Sequence, residues 1–465
     1  MNFKGIEINV KNLPALDTGF IPMIAFYREF LKTAEKPISI AVRRNGGYVA
    51  VFDTFIHGTS DMAEADRFFA ERICKFLLWA KGGYELVICG DYDTAAYIKE
   101  IYSDGGERSF DSKFMSRIYE KSFSVISLTL SEKPQEHECS KSIGRHTNGC
   151  RIGFDAGGSD RKVSAVIDGE SVYSEEVVWL PKINSDPNYH LDGILESMKT
   201  AASKLPRVDG IGVSSAGIYI DNRAMVASLF LAVPDELFDK KVKDMYIKAA
   251  KEIGDVPLEV VNDGDVTALA GAMDLNDCCV LGIAMGTSEA AGYVDEQGNI
   301  KGWLNELAFA PVDCSPDAMR DEWSGDIGCG VKYFSQDGVI KLAKTAGINL
   351  DDSASPGDRL KVVQKLMEWG DERAAGIYDS IGCYLGHSVA FYSVFYNVKH
   401  ILLLGRVMSG KGGNLIVERA EQVLKDEYPE VFAKTKLSLP SEKSRRVGQS
   451  VTAASLPFVK ERSEP

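Results

Sequence analysis

The sequence holds no run of about 18 apolar residues, so no helical membrane span is expected. Its first residues, MNFKGIEINVKNLP, lack a basic stretch followed by an apolar one and do not read as a secretory signal. Lys and Arg nowhere form a block, and the formal net charge is −14. An acidic surface repels phosphate backbones, so nucleic acid is not the expected partner. Nine cysteines in 465 residues, an odd number with Cys278 and Cys279 adjacent, give no disulfide framework. Reduced thiols in a cytoplasm are the expectation.

What is present suits a globular chain. Hydrophobic residues make up 45% and charged residues 26%, enough to bury a core throughout. A chain of 465 residues exceeds one ordinary core and suits two or three domains.

The clearest seam is the polar stretch EKPQEHECSKSIGRHTNGC, after which apolar strand signals resume. It divides an N-terminal accessory domain (1–131) and a linker (132–149) from two lobes (150–275 and 276–465). The accessory domain mixes both periodicities. Helices are expected over 23–33 and 62–79, and strands over 38–42, 48–52, 85–89 and 123–130, which makes a small α/β or α+β domain. His137, Cys139, His146 and Cys150 match no standard metal spacing and read as linker residues.

After the seam one unit occurs twice. IGFDAGGS (152–159) and LGIAMGTS (281–288) each read as a strand, a Gly turn and a second strand, which suggests two lobes of similar design. Helices are expected between the repeats over 191–204 and 235–253, with strands over 210–213 and 258–261. Helices then dominate, with a buried strand over 400–404. Strands alternating with helices indicate an α/β fold.

Four constellations can carry chemistry. In Asp155-Ala-Gly-Gly-Ser159, glycine lets the backbone approach a phosphate with no Cβ in the way, and Asp155 suits Mg²⁺ or its water shell. In Met285-Gly-Thr-Ser288 a second Gly turn adds hydroxyls, so that two such turns can grip one triphosphate. In Val260-Val-Asn-Asp-Gly264 an apolar strand ends in Asn262 and Asp263 before a helix. Asp263 there is either a general base or a helix cap. Leu403-Leu-Gly-Arg406 and Ser409-Gly-Lys-Gly-Gly413 read either as a nucleotide cradle at a helix N-terminus or as an ordinary loop. Asp321, Glu322 and Asp326 around Trp323 read as a solvated acidic loop or as a face toward a polyhydroxylated or cationic substrate.

Taken in order, these motifs resemble the ROK family (repressors, open reading frames and sugar kinases) of the hexokinase–actin-like superfamily, over roughly residues 150–420. The blocks VDGIGVSSAGIYID, PLEVVNDGDVTALAGAM, VLGIAMGTSEAAGYVDEQGNI, WLNELAFAPVD and GCGVKYFSQDGVIKLA carry the resemblance. It implies a two-lobed, actin-like (ribonuclease H-like) ATPase core behind the accessory domain. It implies ATP phosphates at Asp155, Gly157, Gly158 and Ser159 and at Gly286, Thr287 and Ser288, with adenosine near Gly405. It further implies Asp263 as catalytic base, Asn262 and Glu306 as sugar ligands, and a homodimer.

The chain departs from the family pattern at several points. The E-L-G-H motif reads Glu306-Leu-Ala-Phe309 here, so its His is a Phe. Only Cys314 and Cys329 remain of the cysteine cluster, too few for a four-ligand zinc site, and no zinc is expected. A family Glu falls on Val331, and Glu289 follows the second Gly turn, where it either repels phosphate or helps hold a metal. The expected activity is phosphoryl transfer from MgATP to a sugar or sugar derivative other than glucose. The alternative is a drifted ROK-like sensor that binds a ligand and has no DNA-binding domain.

Overall fold

The computed structural model describes residues 1–138, 142–440 and 448–459. Cys139 therefore lies outside the described residues.

Two compact units emerge, and neither follows chain order. The first comprises Met1–Glu138, Ile283–Ala291 and Trp303–Leu439; the second comprises Cys139–Gly282, Gly292–Gly302 and Pro440–Pro465. One crossing thus falls at residue 138, inside the polar seam. That stretch is not a free tether on its N-terminal side. His137 pairs its backbone with Val49, and Glu138 takes Arg44 and accepts from Trp303 Nε1 at 2.9 Å.

The accessory segment carries a four-stranded sheet in the order Val49–Ile56, Lys36–Arg43, Glu85–Cys89, Ser124–Leu128. The first two pairings are antiparallel and the last is parallel. Helix Ala63–Ala80 buries Phe69, Ile73, Phe76, Leu77 and Ala80, the apolar stripe that its period requires. The same unit holds the helices Gln336–Thr345, Pro356–Glu368, Glu372–Tyr392 and Lys411–Glu427. In it strand His400–Leu404 pairs in parallel with Lys436–Ser438.

The second unit is built on a five-stranded sheet in the order Leu258–Asn262, Gly210–Ser215, Cys150–Ala156, Asp160–Ile167, Glu170–Val178. The three strands that end near Asp155, Ser215 and Asn262 run parallel, so their carboxyl ends share one edge. Central strand Cys150–Ala156 is buried along its whole length, because its face carries helix Gln449–Ala454.

One expected helix breaks. Over 235–253 the chain forms Asp235–Leu237, a wide-turn segment Phe238–Val242, and helix Met245–Ile253. The cause is Lys243, whose carbonyl accepts from Ala224 N at 2.9 Å and so turns toward the hairpin strand Arg223–Val226.

Candidate functional site in two half-sites

In the second unit the first Gly turn joins strands Cys150–Ala156 and Asp160–Ile167. Gly157 N donates to Asp160 O at 3.0 Å, and a Cβ on Gly157 would stand 2.7 Å from that oxygen, so the turn closes only with glycine there. Gly158 lies against Lys182, whose Nζ would be 3.3 Å from an added Cβ. Sequence spacing did not reveal this ammonium beside the turn.

Asp155 is buried and accepts from Ser214 Oγ at 2.8 Å. Burial pushes its carboxyl up to about 6, and the nearby charge of Asp263 pushes the same way, against the lowering bond from Ser214. Two neighbouring acids at one sheet edge form a donor set that suits a hard divalent cation.

At residues 262–263 the helix cap falls to Asn262. Asn262 is the N-cap of helix Asp263–Leu275: its Oδ1 accepts from Gly264 N at 2.7 Å, while its Nδ2 donates to Gly217 O at 2.7 Å. Asp263 accepts from Gly264 N at only 3.0 Å. Its second carboxyl oxygen takes no part in the cap. Burial raises its pKa, partly offset by the bond from Gly264 and the charge of Lys182. Gly292 lets this helix start close by, since a Cβ there would sit 2.2 Å from Gly264 O.

In the first unit the second Gly turn is closed by Gly286 N donating to Ser288 O at 2.9 Å, and Gln336 N donates to Gly286 O at 2.9 Å. Gly405, at φ 94°, presses on the same turn: a Cβ there would lie 2.3 Å from Met285 O. Gly405 therefore lies against the turn that holds Gly286, Thr287 and Ser288. The end of helix Lys411–Glu427 is different. Its Lys411 N donates to Glu368 Oε1 at 3.0 Å, so a protein carboxylate already takes this helix N-terminus.

Glu289 directly follows the turn and is buried, with neither carboxyl oxygen hydrogen-bonded among the described residues. Burial first, and the charge of Glu306 second, raise its pKa well above the usual range. Gly330 makes room for Glu289, since a Cβ would come 2.4 Å from its Oε2.

The departure at Phe309 has a physical partner. Phe309 stacks on Trp79 with centroids 4.2 Å apart, and Phe110 and Phe114 extend the cluster. Backbone N–H groups of Asn305 and Glu306 donate to Ala80 O and Trp79 O at 3.0 and 2.9 Å. Helix Ala63–Ala80 of the accessory segment thus carries the Glu306 loop on its C-terminal carbonyls. The acidic run 321–326 is likewise not a solvated loop throughout. Asp326 is buried between Arg72, Lys75 and Arg108. Cys314 and Cys329 are buried too, against Met23 and Asp326.

No family sequence model matches the chain, and no curated protein matches it by sequence. Solved structures do match. A ROK hexokinase from Thermus thermophilus aligns at 17% identity over 66% of this chain and 97% of that one, with TM-score 0.51. A ROK family glucokinase from Streptomyces griseus, in complex with glucose and AMPPNP, aligns at 18% identity over 66% and 99%, with TM-score 0.46. A ROK family transcriptional regulator, a homolog of the E. coli MLC protein, aligns at 18% identity over 66% and 78%, with TM-score 0.48. The shared property is the fold: the chain is a mixed α/β protein whose fold matches that of the ROK hexokinase. That fold is the ROK fold. No described helix is long and apolar enough to cross a membrane.

Proposed function

We propose that this chain transfers a phosphoryl group from ATP to a hydroxyl of a sugar or sugar derivative other than glucose. Asp263 is the general base. Asn262 is the helix N-cap beside it, and burial at the carboxyl end of the sheet raises the pKa of Asp263; this is the observation that carries the reading. Asp155 and the backbone of Gly157, Gly158 and Ser159 serve the phosphates, with Lys182 beside them, and Gly286, Thr287, Ser288 and Gly405 form the other nucleotide-binding set. Mg²⁺ held at Asp155 would neutralise phosphate charge. Asn262 and Glu306 orient the acceptor. Phe309 is committed to Trp79 and Val331 is apolar, so two polar contacts for glucose are missing, and missing partners cost specificity for that sugar.

The test is MgATP turnover against a panel of sugars and amino sugars, with Asp263→Asn alongside. Turnover on one acceptor, lost in the variant, supports the reading. The second reading is a ligand-binding sensor without phosphotransfer, and the carboxyl of Glu289 buried directly after the second Gly turn and the captured Phe309 favour it. ATP binding in a calorimeter with no turnover on any acceptor would select it. A homodimer and a cytoplasmic location complete the proposal; sedimentation and fractionation test them.

A further inference from the structure

The short C-terminal helix Gln449–Ala454 lies far in sequence from every motif, yet it reaches the catalytic edge of the five-stranded sheet. It sits there on two glycine notches. A Cβ at Gly153 would fall 1.6 Å from Ser450 O, and one at Gly212 would fall 1.7 Å from Ala453 O. Arg151 Nη1 donates to Pro457 O at 2.7 Å, and Ser450 Oγ pairs with Ser164 Oγ at 2.8 Å. These anchors hold the helix without its first side chain.

That first side chain is Gln449. Its amide stands between Asp155 and Thr267. Carboxylate oxygens only accept, so the amide nitrogen faces Asp155, 3.0 Å from Oδ1 and 3.2 Å from Oδ2, and the amide oxygen lies 2.6 Å from Thr267 Oγ1. The Thr267 hydroxyl is also 2.8 Å from the carbonyl of Asp263. A hydroxyl has one proton, so with that proton given to the Gln449 oxygen the path runs from the Asp155 carboxylate through Gln449 to Thr267, itself a residue of helix Asp263–Leu275. Ser214 holds Oδ1 of Asp155 from the opposite strand. Two donors from separate elements fix a carboxylate plane; one leaves it free to turn about its Cβ–Cγ bond.

We propose that Gln449 is a positioning residue: its amide orients the Asp155 carboxylate for a divalent cation and couples it to the helix carrying Asp263. The proposal rests on the reading of Asp155 as the cation-holding carboxylate. It makes the chain's C-terminal segment part of the phosphate site, beyond its packing role.

The experiment is a titration of Mn²⁺ with ATP, read by electron paramagnetic resonance, on the full chain and on Gln449→Leu. Leu fills the space and donates nothing. Losing a charge-assisted hydrogen bond to a carboxylate is expected to weaken Mn²⁺–ATP binding about tenfold. The acceptor KM should stay the same, with the unfolding midpoint unchanged, a split that a packing role would not produce. Wild-type Mn²⁺–ATP affinity in folded Gln449→Leu overturns the proposal. Should that variant fail to fold, Thr267→Val keeps every helix anchor and carries the same test: weaker Mn²⁺–ATP binding supports the coupling, and unchanged binding overturns it. Mn²⁺–ATP binding that weakens in Gln449→Leu, in a protein with no turnover on any acceptor, supports Gln449 and sinks phosphotransfer. Unaltered binding in an active kinase does the reverse. No Mn²⁺–ATP binding by the unaltered chain overturns both.

Discussion

Trp79 and Phe309 stack with their ring centroids 4.2 Å apart and their planes 29° from parallel, although 230 positions (309 − 79) separate them in sequence. The indole also donates to Asp111 at 2.9 Å. Trp79→Ala removes both and opens a cavity in a fully buried site. A loss of about 3–5 kcal/mol is expected, measured by denaturant unfolding. Phe309→His, which restores the family residue type, should lower stability and yield no glucose turnover, because the ring it replaces is structural here.

Asp326 faces Lys75 at 3.1 Å, Arg72 at 3.0 Å and Arg108 at 2.8 Å, all buried. These cations hold its carboxyl far below the usual range. Asp326→Asn leaves buried cations short of a partner. It should cost about 3–5 kcal/mol, more than the same change at exposed Glu322, which should cost less than about 1 kcal/mol. Thermal unfolding of both variants checks the contrast.

Asp263→Asn should reduce turnover by about 10²- to 10⁴-fold while MgATP still binds. A base must be ionised, and burial raises the pKa of Asp263, so activity should fall as pH drops through that raised value. Turnover retained in the variant would remove Asp263 from the mechanism.

His387 is buried between Tyr428 Oη at 2.7 Å and Asn12 O at 2.8 Å. Burial lowers its pKa to about 4, with the Arg419 charge acting the same way and the Asn12 bond and Glu427 opposing. A depressed histidine pKa means the unfolded chain binds the proton first. Its contribution, about 3 kcal/mol, is complete above about pH 6.5 and is lost as pH falls toward 4. His387→Gln should flatten the stability profile across that window, as followed by urea unfolding at several pH values.

Gly153→Ala places a methyl group on Ser450 O and should lift the C-terminal helix from the sheet. Faster amide exchange in residues 449–456 is the expected signature, together with weaker Mn²⁺–ATP binding if Gln449 acts as proposed. Exchange unchanged from the parent chain would show that the notch is not needed.

Local rules made much of the fold legible. Strands 85–89 and 400–404 occur where apolar runs placed them, and the two Gly turns stand between paired strands. The helix over 235–253 was misjudged because its apolar period continues through Val242. Only the tertiary bond from Ala224 to Lys243 breaks it.

The sequence by itself determined the α/β alternation, the repeated Gly turn and the strand that ends in Asn262 and Asp263. Each depends on residues a few positions apart, whose spacing records their geometry. The tertiary structure decided what Phe309 and Asp326 are for, that the Glu289 carboxyl is buried, and that Gln449 reaches Asp155. Those roles come from burial and from partners hundreds of residues away, and desolvation and long-range contact leave no period in a chain.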